Sequence, residues 1–239
     1  MDGESIATFQ FLGLTFNTTN IISGTVAAVI VFLVVFIMSR NLKLRPTGKQ
    51  NALEWMMDFT NGILRGSMDA KKSTGFGLYA FTLFLFLFVS NEIGLFLQIG
   101  WNHVTYLRSP TADPIVTLTF SLITMMLAHY SGVSQLGFKG YFKNTYLTPF
   151  KVWLPISIFT EFIDFLTLGL RIYGVIFAGE MLLKIIGGMA FSGGILNMVV
   201  AILLALIWQA FSVFLGVIQA FVFVTLTSVY ISDKIEVEE

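Results

Sequence analysis

Apolar residues dominate five stretches of this chain: residues 21–39, 78–99, 115–133, 154–190 and 195–231. Each is close to or beyond the about 20 residues that a helix needs to cross a ~30 Å hydrocarbon core. The pattern predicts five transmembrane helices. The five prolines, Pro46, Pro110, Pro114, Pro149 and Pro155, fall in connections or at a segment start, so the spans are expected to run as continuous helices. Residues 51–70 follow a different pattern, with Glu54, Asp58, Asn61 and Arg65 on one helical face and Leu53, Met56, Met57 and Leu64 toward the other. Such a helix lies in a membrane interface; a helix packed against other protein has the same pattern. At ~1.5 Å per residue, the last two segments would each reach ~55 Å if straight, so they are expected to tilt strongly, as a hairpin laid against a broad curved partner.

Composition agrees with an all-α integral membrane protein in one membrane domain. Of 239 residues, 56% are apolar and 12% charged, with a mean hydropathy of +0.81. The absence of cysteine excludes disulfides and thiolate chemistry, and two histidines far apart in sequence argue against a metal site,. The net charge of zero conceals an asymmetry. Arg40, Lys43, Arg45, Lys49, Arg65, Lys71 and Lys72 lie between the first two spans, and Lys139, Lys143 and Lys151 between the third and fourth. Residues 100–114 carry Arg108 alone among basic residues, and the N-terminus before the first span carries the acids Asp2 and Glu4. Basic loops stay cytoplasmic, so residues 1–20 are expected outside and the tail 232–239 inside. The first span begins late and lacks a basic leader, unlike a cleaved signal peptide; a plain anchor role fits it as well as a direct one.

The fourth segment concentrates the charge: Glu161, Asp164, Arg171, Glu180 and Lys184. An arginine at a helix centre costs roughly 2.5–3.5 kcal/mol, and such residues usually mark an ion or substrate path. Guanidinium does not deprotonate in proteins, so Arg171 is a fixed field and no proton carrier. On an ideal helix Asp164 and Arg171 lie nearly in line, whereas Glu180 is about half a turn round and ~13 Å further along from Arg171. Acid, fixed cation, acid describes two water-accessible vestibules separated by a positive barrier, with Glu161 and Asp164 toward the cytoplasm and Glu180 toward the outside. Lys184 either pairs with Glu180 at i,i+4 or snorkels to the interface. In the fifth segment Ala205, Ser212, Gly216 and Gln219 form a small or polar stripe, with Trp208 and Gln209 nearby. Ordinary helix packing accounts equally well for Ala205 and Gly216. The Gln219 amide needs partners when buried, and Arg171 is a candidate across the hairpin.

The runs LTLGLRIYGVIFAGE (166–180) and IQAFVFVTLTSVY (218–230), supported by RPTGKQNALEWMMD (45–58) and SPTADPIVTLTFSL (109–122), resemble subunit a of F-type ATP synthases of the bacterial type. The resemblance covers nearly the whole chain. It implies a stator subunit in a bacterial plasma membrane, with a rotating c-subunit ring, a b-subunit stalk, the rest of the complex and lipid as partners, and no nucleic acid or cofactor. Two aqueous half-channels would pass protons to and from the ring carboxylates. By the same resemblance Arg171 matches the family's essential arginine, Glu180 its acid in the outer half-channel and Gln219 its glutamine beside the arginine. Glu161 matches an acid before the arginine, and Asn91 a polar position in the second span. Glu92 is an additional acid beside it. The departures are Val175 for a frequent asparagine, Ser212 for a frequent histidine and Phe165 for a common proline. A serine supplies no group titrating near neutral pH, leaving Glu180, Glu92 and water for the outer path.

Two other classes fit parts of the pattern. A secondary transporter would use Arg171 to hold an anionic substrate, but the chain has neither an internal repeat nor a glycine- or proline-broken helix pair. A pure assembly subunit accounts for the hairpin and leaves Arg171 and its acids unexplained. No phosphate-binding glycine loop occurs, so ATP chemistry is expected on other subunits.

Overall fold

The computed structural model describes residues 5–6, 8–11, 13–101, 104–147, 150, 152 and 154–236. Asp2, Glu4, Pro149 and Lys151, used above for charge and proline placement, lie outside the described residues. Three short strands open the chain, β1 (Ser5–Ile6), β2 (Thr8–Phe11) and β3 (Leu14–Asn17). Helices α1 (Thr18–Met38), α2 (Lys49–Ser67), α3 (Ala70–Ser73) and α4 (Gly77–Phe96) follow. Then come β4 (Ile99–Trp101), β5 (Val104–Leu107), α5 (Pro114–Tyr146), α6 (Leu154–Phe191) and α7 (Ile195–Ile235).

Among the described residues, five helical stretches are long and apolar enough to cross a membrane: Thr18–Met38, Ala70–Phe96, Pro114–Tyr146, Leu154–Phe191 and Ile195–Ile235. The chain is an all-α integral, multi-pass membrane protein. Its surface agrees, since Phe32, Phe159, Leu206 and Ile207 are each more than 60% exposed. Apolar surface on this scale belongs against lipid or a partner. The strands are an element that hydropathy did not predict: two of their pairings are short local hairpins, and the pairing of β1 with β5 joins segments far apart in sequence through backbone hydrogen bonds,.

Two compact units divide the chain. The first comprises Met1–Phe36, Leu85–Val116 and Ile172–Ala220. In it β5 pairs in parallel with β1 and antiparallel with β4, and β2 pairs with β3. Ala27 of α1 packs with Ile93 of α4 and Leu107 of β5, while Thr19 Oγ1 donates to Thr105 O at 2.6 Å. The end of α6 and the start of α7 form an antiparallel pair tied by Trp208 Nε1 donating to Gly179 O at 3.1 Å.

The second unit comprises Ile37–Phe84, Thr117–Arg171 and Phe221–Glu239. Here α2 meets α4 and α7 through Phe59, whose ring centroid lies 5.6 Å from that of Phe84 and 5.9 Å from that of Phe221. Leu53 and Leu64 are buried as their face predicts, but Met57 is 42% exposed. The apolar contact of α2 is narrower than its sequence pattern and runs through Leu53, Thr60 and Leu64. Gln50 closes the preceding connection, accepting from Lys43 N–H and donating to Lys43 O at 2.8 and 2.9 Å. Helix α5 extends beyond the predicted 115–133 to Tyr146, with a break at Gly137, where φ is 69°. Only glycine adopts that backbone readily, and the break lies past the apolar stretch.

Candidate functional site

Within the first unit, Glu180 is buried by an arrangement that starts at a glycine. Gly94 of α4 has no side chain, so the chain around Ser109 can lie against it: a Cβ at Gly94 would stand 2.5 Å from Ser109 N and 2.6 Å from Ser109 Cβ, and would also strike Glu180 Oε1. In that space Ser109 N–H donates to Glu180 Oε1 at 3.0 Å. Ser109 Oγ donates to Ser90 O at 2.6 Å and lies 2.9 Å from Thr111 Oγ1. Thr111 Oγ1 donates to Asn91 Oδ1 at 2.8 Å, and Asn91 Nδ2 donates to Gly216 O at 2.9 Å. A run of buried polar groups therefore extends from the Glu180 carboxylate to the backbone of α7. Its buried groups are satisfied by one another, which holds each in a single place.

Ser212 is buried, and its Oγ has no hydrogen-bond partner among the described residues. It faces α6 at Gly179, where an added Cβ would stand 3.5 Å away. Gln219 is half-buried with Oε1 enclosed and unpartnered among the described residues. One turn before Ser212, Gln209 Nε2 donates to Leu95 O at 2.8 Å. The small and polar stripe of α7 is thus its packed face in this unit.

Within the second unit, Arg171 is half-buried on α6 and, among the described residues, forms neither a hydrogen bond nor an ion pair. It acts electrostatically on Tyr230 of α7, which also neighbours Asp164. The approach of α5 is close here: a Cβ at Gly169 would stand 3.1 Å from Leu118 Cα, and Ser121 Oγ donates to Phe165 O at 2.6 Å. Glu161 is held differently. Lys234 Nζ donates to its Oε1, and His129 Nε2 lies 3.8 Å from its Oε2. Tyr141 Oη and His129 Nδ1 are 2.7 Å apart. The last turn of α7 is fastened around this pair, with Lys72 Nζ donating to Ile235 O, Asn144 Nδ2 to Glu236 O and Ser232 Oγ to Ser67 O at 3.2, 2.9 and 2.6 Å.

Breaking a buried ion pair from one side leaves an uncompensated charge and costs about 3–5 kcal/mol. Lys234→Ala is accordingly expected to lower the thermal midpoint of the detergent-solubilised protein, and adding Glu161→Leu to recover most of the loss. A midpoint unchanged by Lys234→Ala would mean that the pair is not load-sharing.

The eight candidate residues thus fall into two groups. Asn91, Glu92, Glu180, Ser212 and Gln219 belong to the first unit; Glu161, Asp164 and Arg171 belong to the second. Sequence reasoning missed Gly94, Ser109 and Thr111 in the first unit and His129, Tyr141, Tyr230 and Lys234 in the second. Lys234 carried a visible signal, a cation near the end of a long apolar helix. Ser109 and Thr111 carried only their place in the run SPTADPIVTLTFSL and the proline between them.

The family model described as ATP synthase A chain matches residues 21–232. The ATP synthase subunit a of Pediococcus pentosaceus is 81% identical over 238 residues, covering 100% of both chains. That of Limosilactobacillus fermentum is 54% identical over 235 residues, covering 98% of this chain and 99% of the relative. That of Listeria welshimeri is 49% identical over 236 residues, with 99% of each covered. The chain therefore belongs to the ATP synthase A chain family, the subunit a of F-type ATP synthases.

Proposed function

We propose that this chain is the proton-conducting stator of its ATP synthase, carrying protons to and from the carboxylates of a rotating c-subunit ring through two separate half-channels. A b-subunit stalk holds it against rotation, and ATP is made or hydrolysed on other subunits. In this reading the N-terminus lies outside a bacterial plasma membrane and the C-terminus in the cytoplasm, in keeping with the basic loops. Glu180, with Asn91, Glu92 and Ser212, lines the outer path; Glu161 and Asp164 line the inner one; Arg171 meets the ring carboxylate.

The observation that carries the reading is Arg171: an arginine within an apolar 38-residue helix, without a hydrogen bond or ion pair among the described residues. A charge left unsatisfied in a membrane helix is strongly disfavoured unless a partner supplies its counterion. An ionised carboxylate on a passing ring does so, and only transiently. The arginine then repels a hydrated cation that would leak directly between the paths. One charge crossing 100 mV releases about 2.3 kcal/mol, so several must pass for each ATP, which a multi-site ring provides.

The test is ATP-driven acidification of inverted vesicles carrying the assembled complex. Arg171→Ala is expected to stop it, and pumping that survives overturns the reading. Ser212→Ala is expected to retain most of the wild-type rate, because its hydroxyl has no hydrogen-bond partner among the described residues. A severe loss would mean that Ser212 itself is needed for proton passage.

A further inference from the structure

Resting on the stator reading, we infer that Glu92 is an exchangeable proton station facing α7, and that Gly216 is glycine because this carboxyl lies over it. Both Glu92 carboxylate oxygens are enclosed and have no hydrogen-bond partner among the described residues. The acids of α6 are each engaged: Glu180 by Ser109 N–H, Glu161 by Lys234 and Asp164 by Tyr230. An enclosed carboxylate without a partner is strongly disfavoured. A proton is the cation that neutralises it and can still leave.

The surroundings have the form such a station needs. An open apolar groove of about 280 Å³ lies beside Glu92, lined otherwise by side chains that include Phe88 and Phe96 of α4, Leu97 just past its end and Val213 of α7. Glu92 is the ionisable residue beside it, with both carboxylate oxygens enclosed beneath the opening and not facing it. Its position follows from the neighbouring helix: Asn91 Nδ2 holds Gly216 O at 2.9 Å, and with no side chain at Gly216 the carboxyl settles over α7. A Cβ there would strike Glu92 Oε1 and stand 3.4 Å from Glu92 Cδ and Asn91 Cβ.

Gly94, two residues on and about 200° round the helix, backs onto Glu180 instead,. Glu180 and Glu92 are therefore served by opposite faces of α4, two stations and not one shared site. Glu92 supplies from α4 the titratable group that α7 lacks at Ser212.

The experiment is ATP-driven acidification by assembled complexes in inverted vesicles. Glu92→Gln keeps the shape and removes the exchangeable proton, and is expected to lower the initial rate about tenfold or more, within the range typical of a lost proton-transfer group. Glu92→Asp is expected to recover a large part of it. Gly216→Val is expected to lower the rate similarly, and the double variant with Glu92→Gln to add little, as for groups acting as one. Wild-type rates in Glu92→Gln overturn the inference, as does a loss in Gly216→Val that simply adds to that of Glu92→Gln.

Should Glu92→Gln fail to assemble, the wild-type complex provides a second measurement. Dicyclohexylcarbodiimide, which couples to protonated carboxyls in apolar surroundings, is expected to add its mass to the α4 peptide carrying Glu92. An unmodified peptide overturns the inference. Arg171→Ala in the same vesicles separates the two readings: if it pumps, the stator reading falls, whereas if it does not and Glu92→Gln does, the station alone falls.

Discussion

Arg171→Ala is expected to abolish ATP-driven proton pumping in complexes that still assemble, with residual activity below about a hundredth of wild type. The size follows from the energetics of the site. A guanidinium at a helix centre is disfavoured by roughly 2.5–3.5 kcal/mol on insertion scales, and a partner carboxylate must supply at least that much. On the stator reading, losing this attraction shifts the occupancy of the proposed ring carboxylate by about a hundredfold, at about 1.4 kcal/mol per tenfold. Alanine removes the barrier as well as the attraction, so passive leak through the membrane sector is expected to rise while coupled pumping falls. Arg171→Lys keeps the charge but not the planar, weakly hydrated fork, and is expected to suppress leak better than it restores pumping. Comparing vesicle acidification with passive proton flux for the three proteins distinguishes these effects. Coupled pumping by the alanine variant would remove Arg171 from the mechanism.

Gly94→Ala is expected to have the second-largest effect, although the change is a single methyl group. The added Cβ would meet the backbone nitrogen of Ser109 at 2.5 Å and its Cβ at 2.6 Å. A flexible side-chain tip can yield to such an approach; a backbone held at both ends cannot do so cheaply. Residues 109–112 are held, since Ser109 bonds Ser90 and Glu180 while Thr111 bonds Asn91. Relieving the clash must break one or more of these, and each buried group left unsatisfied costs about 1–3 kcal/mol. Proton pumping is expected to fall at least about tenfold and the thermal midpoint to drop, in line with the few kcal/mol typical of overpacking. Gly62→Ala, at an exposed position of α2 with open space at its Cβ, is the matched control and is expected to change neither. If Gly94→Ala pumps at the wild-type rate, the seat of Ser109 does not govern Glu180.

Much of the fold was legible because membrane burial reads composition directly. A stretch such as 195–231, apolar over ten turns, has few other places to go. Arg171 was legible for the same reason: a fixed charge in such a stretch is anomalous whatever surrounds it. The partners of Glu180 and Glu161 were not legible. Ser109 lies 71 residues from Glu180, and Lys234 lies 73 from Glu161. Neither separation leaves a periodic trace, because hydrogen bonds and ion pairs between distant segments depend on where helices cross. Met57 illustrates the same limit, since its helical face predicted burial and the narrower contact of α2 left it exposed.

By itself the sequence determined five membrane-crossing helices, an amphipathic helix between the first two, and an arginine set among acids on the fourth. These are properties of single segments, decided by the transfer free energy of their side chains and by helical period. Tertiary structure decided which acids are engaged and which is not: Glu180 on a backbone N–H, Glu161 on Lys234, and Glu92 with both oxygens unpartnered among the described residues. It also decided why Gly94 and Gly216 are glycines, since only a neighbouring helix or loop at close range makes a missing Cβ necessary. The physical reason is that hydrophobic burial is additive along a segment, whereas satisfying a buried polar group depends on a few ångströms between segments that the chain order leaves open.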